Sequence, residues 1–122
     1  MKSTREHTRH CRKYAEGQLA PEKSFYFRGP KGNLNLRAQN LILFCQIADG
    51  IDDDTWLYHL MRNDYARWFR DCIKDEDLAL EAESAATDVH STATASKAQI
   101  ANAIQRNYVL LSSSKISVPG AM

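Results

Sequence analysis

His59 and Arg62 stand three residues apart in the chain, and so do Arg67 and Arg70, with Tyr65 between the two pairs. At helical spacing each pair projects from one surface, beside a stretch dense in indole, phenol and phenyl rings. Guanidinium forks next to aromatic platforms suit the recognition of anions and sugars. The chemistry suggested is recognition of a ligand or partner by His59, Arg62, Tyr65, Arg67 and Arg70. A structural assignment competes with it and is preferred: Trp56, Tyr65, Trp68 and Phe69 as core, Arg62 and Arg67 in ion pairs with Asp64 and Asp71, and His59 as a satisfied helix residue.

Bond-making chemistry finds less support. The four histidines and scattered acids assemble no Ser-His-Asp, Cys-His or paired-carboxylate scheme, and Cys72 has no reason to pair with His59 rather than be buried. No catalytic residue is assigned. Gly29-Pro30-Lys31-Gly32 sets the basic residues Arg28 and Lys31 in a glycine-rich turn, which makes them anion-binding candidates, but the order of residues is not that of a phosphate-wrapping loop. Asp52, Asp53 and Asp54 have oxygen ligands for a hard cation, yet they also crowd a helix start, and capping explains them without a metal. His7 and Cys11 lie four apart with His10 between them, all three being zinc or copper ligand types, but a structural site needs four ligands and no fourth is near. No metal or cofactor is expected.

These residues need elements to position them, and the pattern predicts mostly helices. A capping box at Ser3 and Glu6 opens a basic N-terminal helix over residues 1–20. Phe25-Tyr26-Phe27 precedes the turn, and Leu34 and Leu36 after it fit either a minimal hairpin near residues 25–36 or a direct run into a helix from about Leu36 to Asp49, closed by Gly50. Asp52 to Asp54 cap a helix carrying Trp56, Leu57, Leu60 and Met61. Asp64 caps another with Tyr65, Trp68, Phe69, Cys72 and Ile73 on its apolar side, and Asp75 caps one ending near Glu83. Ser84 to Thr94 reads as a loop, and Ser96 with Gln99 forms a capping box for a last helix over residues 96–108. The prediction is one all-α domain of about five or six helices over residues 1–111, with a core module at 25–83 and a patternless tail at 112–122.

With 122 residues the chain can bury a core without metal or disulfide staples. Its longest apolar run is far short of a membrane-spanning helix, and no apolar segment follows the basic residues near the N-terminus, so a cytoplasmic protein is expected. Three scattered cysteines argue against a disulfide framework. Charge is unevenly spread: residues 1–37 hold nine Lys/Arg against three Asp/Glu, whereas residues 49–88 hold four against twelve. The basic arm suits pairing with the acidic middle, and contact with nucleic acid is the lesser alternative.

The run Phe25-Tyr26-Phe27-Arg28-Gly29-Pro30, then Leu34 to Leu41, Asp52 to Leu60, and Asp64 to Arg70 followed by Ile73-Lys74-Asp75, resembles a helical module of the C-terminal extension of haloacid dehalogenase superfamily hydrolases, some acting on sugar phosphates. That family's nucleophile is an Asp-x-Asp after an apolar strand. Asp52-x-Asp54 matches only the spelling, since it follows Gly50-Ile51 and leads into a helix. The resemblance therefore implies an accessory, substrate-capping or partner-docking module, and the function expected is a non-catalytic accessory or regulatory protein that docks on a protein partner, for instance a hydrolase. A binder or enzyme of phosphorylated metabolites using residues 56–70 is the alternative, and a nucleic-acid-associated protein using the N-terminal arm is the third.

Overall fold

The computed structural model describes residues 13–88 and 90–109. The expected metal-ligand candidates His7, His10 and Cys11, most of the basic N-terminal helix and the tail at 112–122 lie outside these residues. Residues 13–16 are helical, and the chain then passes through a 3-10 turn, Pro21–Lys23, into strand β1, Phe25–Phe27.

Strand β2, Leu36–Ala38, pairs antiparallel with β1 in the register Phe25 to Ala38, Tyr26 to Arg37 and Phe27 to Leu36. This corrects the expectation of helix from Leu36. Ala38 meets Phe25 across the ladder, and Asn40 then caps helix α1, Leu41–Gly50, by accepting from the Leu43 N–H at 2.8 Å. Arg37 ties the hairpin to the incoming chain, donating to the Leu19 carbonyl at 2.8 Å and the Ser24 hydroxyl at 3.0 Å.

Helix α2, Asp53–Met61, starts where the acids predicted it: Asp52 accepts from the Thr55 N–H at 3.0 Å and the Thr55 hydroxyl at 2.7 Å. These two bonds also hold the Asp52 carboxyl below its ordinary range. Asn63, at φ 61°, turns the chain into α3, Asp64–Trp68. Asp64 is thus the first helical residue rather than the cap, which frees its carboxylate for other partners. A π-helical turn, Phe69–Ile73, follows and ends at Lys74, φ 67°.

Helix α4 spans Glu76–Thr87 and is capped by Asp75, which accepts from the Leu78 N–H at 3.0 Å and from the Tyr108 hydroxyl. It runs into the segment expected to be a loop, because Ala85 is buried against the core. Helix α5, Ala93–Ile104, has its cap four residues before the expected one: Thr92 caps it, accepting from the Ala95 N–H. Ser96 is instead fully buried inside the helix, where its hydroxyl accepts from the Trp56 indole N–H at 2.8 Å. A second π turn, Gln105–Val109, closes the described chain and buries Tyr108.

The described residues therefore form a small, mostly helical domain with one two-stranded hairpin. Its core is aromatic. Phe44 of α1 lies between 5.3 and 6.2 Å, centroid to centroid, from Phe25, Phe27, Trp56, Tyr65, Trp68 and Phe69, and Trp56 stacks on Tyr65 at 4.4 Å. Such ring pairs add to the stabilisation from area burial. Among the described residues no helix is long and apolar enough to cross a membrane.

Candidate functional site

The hairpin places its 28–32 loop opposite the corner of α2 and α3, and an open groove of about 640 Å³ runs between them. Gly29, at φ 82°, makes the turn, and a Cβ there would sit 3.3 Å from the Thr55 hydroxyl. Only glycine takes this left-handed conformation at little cost. The conformation leaves consecutive backbone amides of Arg28 and Gly29 pointing at the His59 ring.

His59 is buried, and both of its nitrogens are engaged. Nε2 accepts from the Arg28 N–H at 3.1 Å and the Gly29 N–H at 3.2 Å, while Nδ1 lies 2.8 Å from Asp64 Oδ2. A nitrogen that accepts two N–H bonds carries no proton, so the imidazole is in its Nδ1–H tautomer and donates to Asp64. His59 is therefore the bolt between hairpin and corner, as the sequence expectation of a satisfied histidine required.

Asp64 is the hub of the corner. Besides His59, it accepts from Arg62 Nε at 3.2 Å and from Arg67 Nη2, and its side chain is 16% exposed against 57% for each arginine. The expected pairs with Asp64 exist and the one with Asp71 is not formed: both arginines converge on Asp64, which occupies the first turn of α3 between them. The Arg62 guanidinium also lies 5.2 Å from the Tyr58 ring centroid, and Arg28 lies 4.8 Å from that of Tyr26 while donating to Asn35 at 3.2 Å. Lys31 and Asp71 are exposed along the groove without an ion pair among the described residues.

Two of the candidate residues lie elsewhere. Tyr65 is wholly buried and donates its hydroxyl to the Trp56 carbonyl at 3.0 Å; burial, then the Asp64 charge, holds that hydroxyl protonated. Its position one residue after Asp64 turns it inward. Arg70 leaves the groove because the π turn rotates it toward α4, where it grips Glu76 at 2.7 and 3.0 Å and Glu83 at 3.0 Å. The bonds to Glu76, then Glu83, make the guanidinium still harder to deprotonate and hold the Glu76 carboxyl below its usual range. Arg28, Lys31, His59, Arg62 and Arg67 do line one groove.

Sequence reasoning missed Tyr26, Tyr58 and Asp71 as groove residues. Helical spacing was a usable signal for Tyr58, which precedes Arg62 by four, whereas Tyr26 joins only through hairpin closure. Cys72 lines the same groove as His59, but burial raises its thiol and both ring nitrogens are spent, so the two cannot act as a nucleophile and base. Cys45 is inert for the same reason, its thiol pushed up to about 11 by burial. No group of three or more His, Cys, Asp or Glu among the described residues is placed to hold a metal ion. In comparison with known proteins, the chain matches no protein-family model, no curated protein and no solved structure.

Proposed function

We propose that this chain is a non-catalytic helical accessory or regulatory module that docks on a protein partner, cytoplasmic in location, with the groove between hairpin tip and helical corner as its docking face. One observation carries this reading. The groups at the corner suited to proton transfer, His59 and Asp64, are saturated by structural hydrogen bonds, while the cationic rim of Lys31, Arg62 and Arg67 stays exposed. A site with bound acid and base but free recognition groups suits binding rather than turnover. The resemblance to the helical extension of haloacid dehalogenase hydrolases supports an accessory role and makes a hydrolase the first partner class to seek.

The test is photo-crosslinking in native extract, with sizing of the recovered material, from a probe at Tyr58 in the groove and from a probe at Leu80, an exposed α4 residue outside it. Capture of one partner from position 58 and not from position 80 is expected. A chain that elutes alone, or one that crosslinks only from Leu80, rejects the proposal. The cationic rim also favours a second reading, binding of phosphorylated metabolites, which predicts a thermal upshift with sugar phosphates in the absence of any protein partner.

A further inference from the structure

We infer that the groove receives an extended acidic segment of the partner, a run of Asp and Glu side chains, held by Lys31 from the hairpin tip and by Arg62 and Arg67 from the corner. The inference rests on the docking role proposed above and adds the chemistry of the docked segment.

Charge complementarity is the first support. Arg28, Lys31, Arg62 and Arg67 line the groove against only two carboxylates, Asp64 and Asp71. Asp64 is already engaged by both arginines and His59, so it offers little further repulsion to an incoming anion. Arg62 uses Nε and Arg67 one terminal nitrogen for that purpose, and each guanidinium has five N–H donors. Both forks thus keep unspent donors while half exposed.

Preorganisation is the second support. The Arg62 and Arg28 guanidiniums lie within cation–π range of Tyr58 and Tyr26, the two tyrosines of the groove walls. Side chains held in this way lose less rotamer freedom when a ligand arrives.

The shape of the groove selects a segment over a small anion. Small-molecule sites enclose most of their ligand, whereas this groove is open and its cationic walls face solvent, where a single ion pair is weak. A chain segment makes several such contacts together, and each contact raises the effective concentration for the next. Asp71, without an ion pair among the described residues, sets the register: it repels a carboxylate, so a neutral or basic side chain of the segment belongs beside it.

The experiment is fluorescence anisotropy on the full chain with a short labelled Glu/Gly peptide, its Gln/Gly counterpart and a labelled oligoribonucleotide, at two salt concentrations. Wild-type protein is expected to bind the Glu/Gly peptide alone among the three, more weakly at high salt. Lys31→Glu should weaken that binding about ten-fold, while Asp71→Asn should strengthen it about three-fold, both melting with the parent. Opposite shifts from two exposed sites cannot come from misfolding. Equal binding of the Gln/Gly peptide, indifference to either variant, tighter binding of the oligoribonucleotide, or full displacement by millimolar inorganic phosphate overturns the inference. If a partner crosslinks from position 58 yet ignores Lys31→Glu, this inference falls while the docking role stands; if the peptide binds as expected but no partner is captured, the docking role falls instead.

Discussion

The inner and outer faces of the α2–α3 corner come from one stretch of chain yet treat their polar atoms in opposite ways. On the inner face, the Trp56 and Trp68 indoles donate to Ser96 and to the Lys23 carbonyl, both at 2.8 Å, and Tyr65 donates to the Trp56 carbonyl, so each ring's polar atom ends on an internal partner. On the outer face, buried His59 with partly buried Asp64 is bonded in the same manner, but the arginines around them keep donors facing water. The difference separates the groups that hold the fold from those that the proposed docking role would use. A buried donor must be paired because leaving it unmade costs about 1–3 kcal/mol, whereas an exposed guanidinium is satisfied by solvent and remains available.

Removing a ring from the inner face tests the contrast most severely. Trp68→Ala deletes a nearly buried indole and orphans the Lys23 carbonyl, and urea melts should show a loss of about 3–5 kcal/mol. A variant that melts with the parent would place Trp68 outside the core. His59→Phe keeps an aromatic ring but strips the acceptor from two backbone amides and the donor from Asp64, and should cost about 2–4 kcal/mol. Nitrogen NMR of the wild-type imidazole should show the proton on Nδ1; a proton on Nε2 would dissolve the bolt between hairpin and corner.

Cys45 sharpens the contrast through pH. Its folded thiol titrates at about 11 against an unperturbed 9.0, so the folded state holds this proton more tightly than the unfolded one. Stability from this group is therefore full below pH 9 and is lost as pH rises toward 11. In native conditions at pH 8 the thiolate fraction is about a hundredfold below that of an unperturbed thiol, and alkylation of Cys45 should be slower in proportion. Alkylation at the rate of a free thiol would show that the site opens. The smallest effects belong to the outer face: Arg62→Ala and Arg67→Ala should each change stability by about 1 kcal/mol or less in thermal melts. A larger loss would make the Asp64 hub structural in full and remove the arginines from the proposed docking face.

Legibility in the sequence followed the range of the interaction. Asp52 and Asp75 were readable as caps because donor and acceptor lie three residues apart, and the aromatic run at Trp56 to Phe69 was readable as core from its helical spacing. The last helix was misplaced because Ser96 carries a capping residue's side chain but spends it on Trp56, 40 positions away. The limit of α4 was missed because Ala85 has no punctuation of its own, and only burial extends the helix past Glu83.

By itself the sequence determined the helix starts at Asp52 and Asp75, the apolar faces and a charged corner around Asp64, since caps, periodicity and neighbouring charges act within a turn or two of chain. Only the tertiary structure decided between hairpin and helix at Leu36, sent Arg70 to α4 rather than the groove, and brought the Arg28 and Gly29 amides onto His59 across 31 and 30 positions. Those outcomes depend on closing long loops, whose entropic cost is met only when the whole aromatic core assembles around Phe44.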